Sequence, residues 1–163
     1  VWKVGDNINT DLIIPGPYLT LSDINQKAQY VLESVIPRFA AKVKKGDILV
    51  AGKNFGSGSS REVAPLLLKH LGVSLIIAES FARIFFRNAI NIGLPVVKCE
   101  GITGKVETGE ILEVDLSKGW IRNETKNEEC YGTRLPNFLL EIIVAGGALE
   151  LLKQRRGKIL SSV

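Results

Sequence analysis

Three short apolar runs, Ile48–Ala51, residues 73–78 and the pair Val96-Val97, are spaced by two stretches of helical periodicity, and this spacing constrains the chain more than any other feature. Apolar runs of this length, bounded by turn residues, read as strands buried on both faces. After the first run, Val63, Leu66, Leu67 and Leu71 recur on one helical face from Glu62 onward, and Gly72 supplies the stop. After the second, Ser80 stands as the cap of a helix over residues 81–92, which Gly93 ends. Strand, helix, strand, helix, strand implies parallel pairing through right-handed crossovers. The expected class is α/β with a mostly parallel central sheet.

The flanks add smaller pieces. Residues 1–4 can be a strand, followed by a polar turn over residues 5–11, a second apolar run at residues 12–14, and the stiff Pro15-Gly16-Pro17. Ser22 can cap a short helix, and Pro37 can open another over residues 38–43. Beyond Cys99, turns at Thr103-Gly104, Thr108-Gly109 and Lys118-Gly119 separate short alternating segments, which predicts small antiparallel strands. Residues 136–154 read as one or two helices interrupted at Gly146-Gly147.

A length of 163 residues fits a single domain over residues 1–163. The 45% hydrophobic and 23% charged content is that of a globular chain and excludes intrinsic disorder. The apolar stretch at residues 135–148 is broken by Pro136, Asn137, Glu141, Gly146 and Gly147, so no membrane span is expected. The first residues carry no basic or apolar leader pattern and read as the first strand of a cytoplasmic protein. A net charge of +4 is too small and too scattered to indicate nucleic acid. Cys99 and Cys130 are the two cysteines and show no CxxC spacing, which excludes a zinc site, a disulfide scaffold and a self-contained iron–sulfur cluster. They read as free structural thiols.

The most unusual local composition is residues 52–61, Gly-Lys-Asn-Phe-Gly-Ser-Gly-Ser-Ser-Arg, which leaves a strand and enters a helix. Such a loop presents backbone N–H groups at the positive end of a helix dipole, a generic anion site. The phosphate-loop and dinucleotide motifs both fail here, since no Lys follows Gly56 or Gly58 and Arg61 occupies the third glycine position. The single histidine, His70, lies on the following helix among its apolar positions and reads as a hydrogen-bonded helix residue, so a Ser-His-Asp triad is not expected. A serine could then act as a base only as an alkoxide. Lowering a hydroxyl by ~6 pKa units requires ~8 kcal/mol from amides, the helix end and a guanidinium. At the level of residues the alternative, a Ser/Gly turn with Arg61 in solvent, stays open.

Residues 46–62, ending Asn-Phe-Gly-Ser-Gly-Ser-Ser-Arg-Glu, followed by Glu79-Ser80-Phe81-Ala82-Arg83-Ile84-Phe85-Phe86-Arg87-Asn88, resemble the swivel domain of the aconitase superfamily. Asp6-Asn7-Ile8-Asn9-Thr10-Asp11 is similar to its N-terminal signature, and the likeness runs to about Gly146-Gly147. The resemblance implies a compact three-layer fold, and a free chain this short resembles the small subunits of the isopropylmalate dehydratase and homoaconitase families. It implies a large-subunit partner that carries a 4Fe–4S cluster, with no cofactor in this chain, in a hetero-oligomer acting on a small dicarboxylate. By the same resemblance Ser59 is the catalytic base, Arg61 and Ser60 hold substrate carboxylate and favour ionised Ser59, and the partner's iron takes the departing hydroxyl. Residues 17–22 resemble the substrate-recognition loop, giving Tyr18, Leu19, Thr20 and Leu21 as substrate-binding residues. Aconitases place an arginine in that loop, but here no basic residue precedes Lys27. An apolar loop suits an isopropyl group and would leave an extra carboxylate unpaired, while Thr20 keeps a homologous tricarboxylate open. A stand-alone anion-binding module is the remaining alternative. Val63 departs from members that carry histidine after the Ser-Ser-Arg-Glu sequence. Apolar residues between 135 and 152 could serve either a partner face or a helical core stripe.

Overall fold

The computed structural model describes residues 1–160. Strands β1 (Trp2–Lys3), β2 (Ile48–Ala51), β3 (Leu75–Ala78) and β4 (Val96–Lys98) form a sheet in the order β1-β2-β3-β4. Every pairing in it is parallel, with Leu49 beside Ile76 and Ile77 beside Val97. When sequential parallel strands are joined by right-handed crossovers, the connecting helices all fall on one face. These are α1 (Thr10–Ile13), α2 (Ile24–Ala28), α3 (Phe39–Lys42), α4 (Val63–His70) and α5 (Arg83–Asn91).

The sheet's side chains divide accordingly. Leu49, Ala51, Ile76, Ala78 and Val96 enter a core shared with Ile13, Phe39, Leu67, Leu68 and Phe85. Their neighbours Val50, Leu75, Ile77 and Val97 enter a second core with Ile102, Val106, Ile121 and Leu135. An antiparallel sheet of β5 (Leu112–Asp115), β6 (Trp120–Asn123) and β7 (Glu128–Tyr131) covers that second face. Thus three layers form, with a parallel sheet in the middle that is apolar on both sides, as such sheets must be. Helices α6 (Asn137–Val144) and α7 (Ala148–Leu160) follow, separated at Gly146-Gly147 as the sequence predicts, and α6 packs on α5. No helix among the described residues is long and apolar enough to cross a membrane.

Several boundaries differ from expectation. The polar turn expected over residues 5–11 ends early, because Asn9 caps α1 by accepting the Leu12 N–H at 2.9 Å and the helix takes in Thr10 and Asp11. Asp23, rather than Ser22, caps α2 through the Asn25 N–H. Helix α3 starts at Phe39, since Arg38 adopts a left-handed φ of 61°. Helix α5 starts at Arg83 rather than Phe81. Ser80 does not cap it: the hydroxyl accepts the Asn54 N–H at 2.8 Å, and the backbone of residues 80–82 pairs with Phe55. His70 is exposed and bonds Asn25 through Nε2 at 3.0 Å, away from the apolar stripe but hydrogen-bonded as expected.

Candidate active site

In parallel α/β sheets ligands gather beyond the carboxyl ends of the strands. At that edge the segment after β2, residues 52–62, runs between two neighbours that fix it. On one side Asn7 donates to Lys53 O, Gly56 to Ile8 O and Thr10 to Ser57 O, at 2.7 to 2.8 Å. On the other, the Phe55 N–H meets Ser80 O and the Ala82 N–H meets Phe55 O. The Phe55, Phe81 and Phe85 rings pack together beneath. Gly56 has φ 75°, and a Cβ there would overlap the Phe85 ring, so the backbone passes where no side chain fits.

The loop thereby presents Ser59, which is exposed. Its Oγ lies 3.3 Å from the hydroxyl of Thr10, a residue only 2% exposed, which is also 3.2 Å from Ser59 O. Among the described residues no group accepts the backbone N–H of Gly58, Ser59 or Ser60, which leaves three donors in this loop without a partner. Ser59 borders an open pocket of about 430 Å³ with Gly56, Gly58, Ala82, Arg83, Ile84 and Arg87. Ser60 is exposed beside it in the chain.

Arg61 is neither in solvent nor in that pocket's lining. Its Nη1 lies 2.6 Å from an Asp11 carboxylate oxygen and donates to Ile14 O at 2.9 Å. Nε and Nη2 keep three N–H groups without a protein partner among the described residues. The guanidinium sits against Gly16, the first residue of a 3-10 turn, Gly16–Thr20, that carries most of the expected recognition loop. That loop and the Ser59 loop are therefore brought together through Arg61. Within the turn, Tyr18 stacks on Tyr30 with ring centroids 3.6 Å apart, and Tyr18 and Leu19 pack on the helical core. Thr20 is exposed, its hydroxyl bonded to Pro17 O at 2.9 Å, and Leu21 is half-buried.

The residues present do not fit an iron–sulfur cluster. The Cys99 and Cys130 sulfurs face each other at 3.9 Å across the two sheets, and no three His, Cys, Asp or Glu side chains among the described residues could share a metal ion. Cys99 is buried, and that burial together with Cys130 pushes its thiol up to about 12.

Residues the sequence did not single out complete the site: Thr10 against Ser59, Asp11 against Arg61, and Arg83 and Arg87 on the pocket wall. Thr10 and Asp11 lay within the N-terminal signature, and both arginines lay within the Glu79-to-Asn88 segment, so only their distant partners were hidden.

A parallel sheet whose carboxyl edge carries a Gly/Ser loop that ends in an arginine just before a helix defines a class, and the chain belongs to the aconitase C-terminal domain family, which it matches over residues 17–100. It is 56% identical over 153 residues to the 3-isopropylmalate dehydratase small subunit of Halothermothrix orenii, covering 94% of this chain and 93% of that one. It is 54% identical to the isopropylmalate/citramalate isomerase small subunit of Methanocaldococcus jannaschii, covering 95% and 92%. The crystal structure of a 3-isopropylmalate dehydratase from that archaeon superposes with a TM-score of 0.92 at 41% identity, covering 99% of this chain and 96% of the other.

Proposed function

We propose that this chain is the small subunit of a 3-isopropylmalate dehydratase, a hydro-lyase that interconverts 2-isopropylmalate and 3-isopropylmalate in leucine biosynthesis. The observation that carries the reading is the 56% identity, over nearly the whole of both chains, to a relative of that name. It acts in the cytoplasm as one swivel-type domain in a hetero-oligomer with a large subunit. On this reading the 4Fe–4S cluster is carried by that partner and this chain supplies no cluster ligand.

This chain's share of the chemistry is a proton transfer. Ser59 Oγ takes the proton from the carbon next to a substrate carboxylate as the C–O bond on the neighbouring carbon breaks and its hydroxyl leaves, giving the alkene; on rehydration a hydroxyl adds to the carbon that lost the proton, and Ser59 gives the proton to the carbon that lost the hydroxyl. The alkoxide this requires is favoured by the Thr10 hydroxyl, when it donates to Oγ, and by the free amides of residues 58–60. Arg61, held by Asp11, offers its remaining N–H groups to substrate carboxylate, with Ser60 beside it. The loop at Tyr18, Leu19, Thr20 and Leu21 supplies an apolar, charge-free wall, in which Tyr18 and Leu19 are braced by the core. That wall favours an isopropyl group over the extra carboxylate of homoaconitate.

Reconstitution tests this directly. The chain mixed with a cluster-loaded large subunit should isomerise 2-isopropylmalate, while the chain alone should not. Rates on citramalate and homoaconitate, measured on the same preparation, rank the specificity. Turnover of homoaconitate above isopropylmalate would overturn the substrate assignment.

A further inference from the structure

The pocket beside Ser59 holds two cations that the proposed proton transfer leaves unused. Arg83 opens α5 and Arg87 follows one turn later, so both project from one helix face onto the pocket. Both are exposed, and among the described residues neither makes an ion pair or a side-chain hydrogen bond. No carboxylate lines the pocket. The arrangement works against the helix itself: like charges at i and i+4 repel, and a cation in the first turn opposes the helix dipole. An anion in the pocket relieves both penalties. The other nearby guanidinium, Arg61, is already tied at Nη1 to Asp11 and Ile14 O.

Resting on the function proposed above, we infer that Arg83 and Arg87 bind the substrate carboxylate attached to the carbon from which Ser59 takes the proton. That carboxylate is one bond from the reacting carbon, so a substrate in reach of Ser59 Oγ brings it to the mouth of the pocket that Ser59 shares with the two arginines. Negative charge flows onto its oxygens as the proton leaves, where a bidentate guanidinium stabilises it most. Arg61 then serves the second carboxylate, which accounts for three arginines around one dicarboxylate. Ile84, 51% exposed between the two arginines, forms the apolar part of the wall.

The test uses the reconstituted two-subunit enzyme with Arg83→Gln, Arg87→Gln and Arg83→Lys. Each Gln variant should raise KM for isopropylmalate about tenfold or more and weaken competitive inhibition by malonate in parallel, with lysine at position 83 restoring part of both. Affinity between the subunits should stay within twofold. Lys118→Gln, a remote loss of the same charge, should change neither constant. Arg83 and Arg87 also border a recess with Phe81, Phe86 and Lys98. Weaker subunit association with KM and malonate inhibition unchanged would make them docking contacts and overturn the inference. A wild-type complex that does not isomerise isopropylmalate would instead sink the functional reading, and malonate binding to wild type against the Gln variants would still decide the anion site.

Discussion

The carboxyl edge of the parallel sheet and the antiparallel sheet behind it treat polar groups in opposite ways. In the antiparallel layer several charges are matched: Lys126 meets Glu110 at 3.0 Å, Lys118 meets Asp115 at 3.4 Å, and Arg122 Nε lies 3.1 Å from Glu124, close enough for an ion pair though without hydrogen-bond geometry. Glu110 is saturated, accepting the Glu107 N–H, the Asn123 amide and the Lys126 ammonium, and the Glu107 N–H does most to hold its carboxyl at about 2. At the Ser59 edge three amides and two guanidinium groups are left without partners among the described residues. Self-satisfied groups hold a fold in one arrangement. Groups left open are an electrostatic cost to the free chain that a ligand would remove, so under the proposed function the two regions separate structural from binding duty within one small protein.

Substitutions can break this contrast, starting at the open edge. Ser59→Ala should reduce kcat of the reconstituted enzyme about 10³-fold with subunit association intact, since only the proposed base is removed; wild-type turnover would end the base assignment. Thr10→Val keeps the shape and deletes one donor, and should lower kcat about tenfold while shifting the pH at which activity rises to a higher value. In the closed layer the readout is stability rather than rate. Because the Glu110 carboxyl is lowered from an ordinary 4.5 to about 2, its contribution is complete above pH 4.5 and fades as pH falls toward 2. Glu110→Gln should therefore lower the melting temperature at pH 7, lose that difference near pH 2, and leave KM unchanged. The smallest effect is expected at Cys99, whose buried thiol should resist alkylation at pH 8 in the folded chain and react once it is unfolded.

The layers were legible because each strand's alternation is simple: Leu49 and Ala51 face one way, Val50 the other, and a short fully apolar run can satisfy both. The helix starts were less so. Ser80 has the composition of a cap, yet its hydroxyl is captured by Asn54, a contact set by the pairing of two loops and not by local sequence. Ser59 stood out through the glycines and serines around it. Its hydroxyl partner did not, since Thr10 is 49 residues away and arrives only through the parallel pairing of β1 with β2. Arg61 was assigned to the substrate from its position in the motif, whereas Asp11 takes one end of it.

The stitching of residues 7–10 onto the Ser59 loop also has a consequence during biosynthesis. Residues 7–10 are made before β2 but have nothing to lie against until residues 53–57 have followed. In a chain still being made, or folded out of register, Ser59 therefore lacks its Thr10 partner, so the proposed base takes shape only once two segments distant in sequence have met.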